Sequence, residues 1–155
     1  MSAGLAMNLY PAWCQPKATP IPFKPEDPEL YFAFFQNHGD LDQKIQAGNT
    51  AAAAQLTSNA AALYNLTTAD FGKLTTEVRA FMSDFAAWQG PVQAYYNKLH
   101  ASKQLPDVNT IKAFQFQRQA LVKARYDSIH QTLSRASWNG LYTYINGDFK
   151  RGVKP

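Results

Sequence analysis

The chain has 155 residues, a net charge of +4, and unusually few charged side chains (17%) beside many aromatic ones (14%). This length is typical of one domain with one core. The single cysteine, Cys14, excludes an intramolecular disulfide, and no apolar run approaches the length of a transmembrane helix. Such a composition favours either a chain that buries surface against partners or an exported domain with an uncharged polar surface.

The N-terminal segment is rich in proline. Six of the nine prolines fall within the first 28 residues, which excludes a helix there and disfavours a strand. We therefore predict an extended arm over residues 1–27 and a helical bundle domain over residues 28–155. Aromatic and branched side chains of an ordered arm are anchors for apolar pockets. The predicted interaction residues are Tyr10, Trp13, Ile21 and Phe23.

The first two predicted helices follow the arm. Asp27, Pro28 and Glu29 are typical of a helix start, with a cap, a proline at the first position and an acid in the first turn. Apolar residues then recur at helical spacing until Gly48 and Asn49, which predict the end of this helix. A second, alanine-rich helix is predicted from about residue 50 to residue 64.

The third predicted helix contains a heptad repeat. Thr67 and Asp70 resemble a capping box at its start. Large apolar residues then follow a 3-4 spacing over four heptads, and we call them the heptad seam: Phe71, Leu74, Val78, Phe81, Phe85, Trp88, Val92, Tyr95 and Leu99. Pro91 lies inside the seam and predicts a kink or a break, with both halves of the seam facing the same core.

Two more helices complete the prediction of an all-α bundle of five or six helices. One spans about residues 108–135, and Ser137 is the predicted cap of the last. Arg118 and Arg125 fall within the apolar stripe of the longer helix. Their heads are either paired with acids, for which Asp84, Glu77 and Asp70 are candidates, or extended into water, which we favour.

No residue pattern predicts catalysis, a cofactor or a metal site. The three histidines have no ligand-type pair of the kind a helical metal site requires, and His38 is interpreted as a packed, hydrogen-bonded core residue. No phosphate-binding loop and no catalytic triad order is present. Residues 105–155 carry eight basic and three acidic side chains, but these are dispersed, which makes nucleic-acid binding an unfavoured alternative.

Two stretches carry a resemblance to known proteins. They are residues 31–49 with Leu66 and Thr67, and residues 116–145 with His130, Leu133 and Trp138. Together they resemble small, exported, all-helical bacterial proteins of unassigned function, which implies an exported helical fold. The Leu66-Thr67 helix start is also similar to that of Spy/CpxP-like periplasmic proteins, whose motif has Gln where this chain has Asp70. The arm is outside both resemblances.

The leading functional hypothesis is a structural protein that assembles with copies of itself into a filament or lattice through its arm. The alternative is a periplasmic binding or chaperone-like module for an apolar ligand or client, lined by Phe34, Phe81, Phe85 and Trp88. We expect no enzymatic activity and an extracellular or periplasmic location, although no signal peptide is visible in the chain.

Overall fold

The structure is a computed structural model that describes residues 27–153, so almost all of the predicted arm lies outside the described residues. Within that range the chain is helical and contains no strand, which confirms the all-α prediction. Five α-helices precede a π-helical turn and a short terminal helix. They are α1 (Asp27–Ala47), α2 (Thr50–Leu63), α3 (Thr68–Ser102), α4 (Val108–Thr132), α5 (Arg135–Tyr144), the π turn (Ile145–Phe149) and α6 (Lys150–Gly152).

Helix α1 is the central helix of the bundle. It contacts α2, α3, α4 and the π turn, and it buries Tyr31, Phe34 and Phe35 almost completely. The ring of Phe34 packs edge-on against Tyr64 and Phe149, an arrangement that aromatic pairs prefer. Burial of these large rings supplies the hydrophobic stabilisation that holds the other helices in place.

The connection between α2 and α3 is a tight turn with a fixed backbone. Asn65 has a positive φ of 60°, and the side chain of Thr67 accepts a hydrogen bond from the Asp70 backbone N–H at 3.1 Å. The predicted cap at Thr67 is therefore confirmed. Helix α5 crosses this turn so closely that a Cβ added at Gly140 would lie 2.7 Å from the Cβ of Asn65.

Helix α3 is continuous through Pro91, so of the predicted kink or break, the break does not occur. Proline removes one backbone hydrogen bond and crowds the preceding turn, but packing of α3 against α4 continues on both sides of it. At 1.5 Å per residue, α3 is about 52 Å long and α1 only about 32 Å. One end of α3 therefore extends beyond the central helix.

The start of α5 also differs from the prediction. Ser134, and not Ser137, occupies the cap position, and its side chain accepts a hydrogen bond from the Ser137 backbone N–H. The Ser134 hydroxyl donates to Asp70 Oδ2 at 2.8 Å, which ties α5 to the start of α3. Hydrogen bonds from Ser137 first and then Ser134 lower the pKa of Asp70 to about 2.

None of the helices within residues 27–153 combines the length and the hydropathy needed to cross a membrane.

Candidate interaction surface

The long helices α3 and α4 continue beyond the rest of the bundle as a pair, which we call the hairpin and define as residues 88–116. The remaining described residues are called the body. The α3 and α4 portions of the hairpin are antiparallel helices, with the Tyr95 ring 5.4 Å from that of Phe114. At the tip, the Asp107 backbone N–H donates to the Tyr95 hydroxyl at 2.9 Å, and Asp107 caps α4.

The hairpin and the body differ in how deeply their side chains are buried. The seam residues Phe71 to Phe85 are buried, whereas no residue between 86 and 116 is fully buried. The later seam residues are half-buried, since α4 is the helix that covers them. The prediction that both halves of the seam face the same core is therefore wrong for the second half.

The hairpin also exposes large apolar side chains. Leu105 is 91% exposed and Val108 is 62% exposed at the tip, and Tyr96 and Phe116 lie further along the two helices. Exposed apolar side chains concentrated on one projecting element are typical of an interaction site. The larger body exposes three such side chains, Leu63, Tyr142 and Val153, and packs most of its large rings inside.

Trp88 lies at the junction of hairpin and body. Its ring is stacked on Phe85 at 5.4 Å, and its indole Nε1 is shielded from solvent without an acceptor among the residues that the structure describes. A shielded donor without an acceptor costs roughly 1–3 kcal/mol.

The start of α1 lies beside the same junction. The Phe32 ring is 5.0 Å from the Phe85 ring, and Glu29 pairs with Arg118, whose guanidinium lies over Phe32. Further along α1, His38 contacts Phe71 near the start of α3. Helix α1 therefore runs antiparallel to α3, and its first residue, Asp27, lies at the hairpin end of the body.

The two arginines of the apolar stripe are both paired, contrary to the favoured expectation. Arg125 donates to Glu77 at 2.7 Å and to Asp84 at 3.2 Å, and its side chain is only 20% exposed. Both acids were candidate partners, whereas the Glu29 partner of Arg118 was not predicted. These pairs neutralise two of the basic residues in the final third of the chain.

The buried His38 makes hydrogen bonds with two residues of the body, which confirms the prediction that it is a packed, hydrogen-bonded core residue. His38 is fully buried, with Nδ1 joined to the Tyr64 hydroxyl at 3.3 Å and Nε2 to the Thr75 hydroxyl at 2.9 Å. Burial lowers the pKa of His38 to about 4, with Asp42 opposing the shift and Arg79 adding to it. The imidazole is therefore neutral near pH 7 and acts as a structural hydrogen-bonding group.

A groove lies between α1 and α2. Its volume is about 380 Å³, and its apolar wall includes Leu56, Leu63 and Tyr144. Asp40 and Lys44 lie on its polar side. The four residues predicted to line an apolar site are not among its lining residues. They are Phe34, Phe81, Phe85 and Trp88, and they pack against neighbouring rings instead.

The sequence-predicted interaction residues Tyr10, Trp13, Ile21 and Phe23 lie outside the described residues. Among residues 27–153 there is no cluster of three or more side chains suited to hold a metal ion. The apolar tip of the hairpin was missed by sequence reasoning. Helix length could have indicated this exposure, because α1, with 21 residues, cannot cover the whole length of α3, which has 35.

Comparison of the chain with protein-family models, with curated proteins and with solved structures finds no match.

Proposed function

We propose that this chain is a structural subunit that assembles with copies of itself, with the N-terminal segment as the connector between copies. The observation that supports the proposal is the hairpin, which projects from a well-packed body and exposes the apolar side chains of Leu105, Val108 and Tyr96 to solvent. Uncovered apolar surface on a projecting element gains stability when another chain covers it. A connector on one copy and a receiving surface on the next form a head-to-tail contact, which generates rings or open polymers.

The test compares the full chain with a chain that lacks residues 1–26, by size-exclusion chromatography with light scattering. We expect the full chain to form oligomers or polymers and the shortened chain to be a monomer with unchanged helical content by circular dichroism. The described body retains its own aromatic core, so the shortened chain is expected to fold. A monomeric full chain would refute the proposal.

A single substitution makes the same test sharper. Trp13→Ala removes the largest apolar side chain of the predicted arm and should weaken assembly by about 2 kcal/mol or more. Lys17→Ala is the matched control, because a lysine of the same segment is expected to stay in solvent and its loss should leave assembly unchanged. Equal assembly of the two variants would show that the tryptophan is not an anchor.

The groove between α1 and α2 supports a second candidate function, a periplasmic binding module for an apolar ligand. Its volume of about 380 Å³ lies in the range of small-molecule sites, and Leu63 in its wall is 55% exposed. We expect Leu63→Asp to abolish the fluorescence enhancement of the apolar dye anilinonaphthalene sulfonate. Leu105→Asp at the hairpin tip is the control, and an equal loss in both variants would count against a ligand site in the groove.

A further inference from the structure

We propose that residues 1–16 of one copy dock on the hairpin of a neighbouring copy, an inference that rests on the self-assembly proposed above. The hairpin is the receiving surface because it combines a cluster of aromatic rings, Tyr95, Tyr96 and Phe114, with the exposed apolar side chains of Leu105 and Val108. The occupant is a segment of this same chain outside the described residues, and its length, its point of attachment and its chemistry all fit.

The point of attachment brings the segment to the correct end of the molecule. The chain enters α1 at Asp27, beside the pair formed by Glu29 and Arg118 at the base of the hairpin. Because α1 runs antiparallel to α3, the first residue of α1 lies at the end of the body from which the hairpin projects. The segment is therefore attached to the body at the base of the hairpin.

The length of the segment favours a neighbouring copy over the chain's own hairpin. The hairpin extends about 20 Å beyond the span of α1, which is the difference between the lengths of α3 and α1. Extended proline-rich chain advances about 3.1 Å per residue, so the ten residues 17–26 have a reach of about 31 Å, which exceeds the length of the hairpin. This reach is long enough to carry residues 1–16 to another copy.

The chemistry of residues 1–16 matches the hairpin. The run Tyr10-Pro11-Ala12-Trp13 joins two aromatic rings to a proline, and extended proline-containing segments bind to surfaces lined by aromatic rings. The hairpin offers such a surface with Tyr95, Tyr96 and Phe114, whose rings contact one another.

The charges predict that this docking is apolar and independent of salt. Residues 1–16 contain no charged side chain, whereas the hairpin carries three lysines and one aspartate, Lys98, Lys103, Lys112 and Asp107. A nucleic acid or an acidic protein on the hairpin would bind through the lysines, and its affinity would fall steeply as salt is raised. Assembly through residues 1–16 should instead persist from low to high salt.

The native Cys14 provides the test, because it is the only cysteine and is adjacent to Trp13. One protein is the full chain with Cys14 as its only thiol. The second carries Cys14→Ser together with Tyr96→Cys, so that its only thiol lies on the hairpin. The two are mixed and oxidised by dissolved oxygen with copper phenanthroline, and disulfide-linked heterodimers are measured on a non-reducing gel. Gln115→Cys replaces Tyr96→Cys in a second pairing, in case loss of the tyrosine itself disturbs docking.

The control places the second thiol on α2 by Ser58→Cys, again with Cys14→Ser, at an exposed position of the body. We expect the heterodimer yield with either hairpin cysteine to exceed that of the Ser58→Cys control by about fivefold or more, because docking raises the local concentration of the two thiols. The yield should not change when salt is raised, and Trp13→Ala in the first protein should reduce it to the control level.

Several results would overturn the inference. Equal yields at all three positions would show that contact between copies is unspecific. In a single chain that carries both Cys14 and Tyr96→Cys, closure into a monomeric disulfide with no heterodimer in the mixture would place the segment on its own hairpin. Oligomers by light scattering without hairpin heterodimers would refute this docking site and leave self-assembly standing, whereas a monomeric full chain would refute both proposals.

Discussion

Helices α3 and α4 and the heptad seam run through both the body and the hairpin, yet the two regions differ in burial. In the body, Phe81 is covered by α1 as well as by its neighbours on α3 and is fully buried. In the hairpin, Tyr95 has only α4 across from it and remains half-buried. A heptad repeat thus shows which face of a helix is apolar but does not show how many helices cover that face.

The largest expected effect separates the two regions directly. Phe81→Ala removes a fully buried ring and leaves a cavity between α1 and α3, so the free energy of unfolding should fall by about 3–5 kcal/mol. Tyr95→Ala removes a half-buried ring from the hairpin and should cost only about 1 kcal/mol. Urea denaturation followed by circular dichroism measures both. Equal losses would mean that hairpin and body form one cooperative core.

The sequence predicts the helices well because their signals are local. The cap at Thr67, the alanine-rich helix that follows Asn49 and the loop around Pro106 all depend on residues a few positions apart. Of the kink or break predicted at Pro91, the break does not occur, because the local rule counts the lost hydrogen bond but not the packing of α3 on α4. The cap of α5 was misplaced for a similar reason, since Ser134 is fixed by Asp70, 64 residues away.

The candidate surface could be predicted only in part. The apolar residues of the hairpin were recognised as part of the seam, and a loop was expected near Pro106. The exposure of these apolar residues depends on where α1 lies along α3. The spacing of residues within one helix does not predict that position. Arg125 illustrates the same limit, because its two acidic partners come from α3, 41 and 48 residues away in sequence.

The second prediction concerns the buried histidine and the pH dependence of the body. The pKa of His38 is lowered from 6.5 to about 4, so the unfolded chain binds a proton that the folded chain excludes between these values. Stability contributed by the neutral imidazole is therefore complete above pH 6.5 and is lost as the pH falls towards 4. The loss over this range is about 3 kcal/mol as an upper bound.

The measurement is urea denaturation at intervals between pH 7 and pH 4. His38→Gln should flatten the profile in this window even where it lowers stability at every pH, whereas His100→Gln, at an exposed position of the hairpin, should leave the profile as it is. The carboxyl of Asp70, with its pKa lowered to about 2, loses its stabilising charge only at more acidic pH. An unchanged slope in His38→Gln would show that another group causes the pH dependence.

The third prediction tests how tightly α5 is fixed to the body. In Gly140→Ala the new methyl group would lie 2.7 Å from the Asn65 Cβ and 2.9 Å from the Asn65 carbonyl oxygen, and neither can move without shifting the turn. We expect a loss of about 2 kcal/mol in the free energy of unfolding. Gly72→Ala on α3 is the control, because open space surrounds that position and the change should stabilise the helix by about 0.5–1 kcal/mol.

The smallest effect on global stability is expected at Pro91, close to the junction of hairpin and body. Pro91→Ala restores a backbone hydrogen bond to the Ala87 carbonyl and improves helix propensity. Because no residue between 86 and 116 is fully buried, the hairpin is expected to open before the body unfolds, and a gain in the hairpin adds little to the global value. The free energy of unfolding should therefore rise by less than about 1 kcal/mol.

The same substitution should act strongly on local opening of the hairpin. Amide hydrogen exchange is expected to slow in the α3 portion of the hairpin, from Val92 to Leu99, while exchange at the buried positions of α1 stays the same. Gln89→Ala, at an exposed position of the same helix, controls for the effect of alanine alone. If Pro91→Ala instead raised the global stability well above 1 kcal/mol and slowed exchange throughout the body, then hairpin and body would unfold together. The distinction between them would then be one of burial and not of stability.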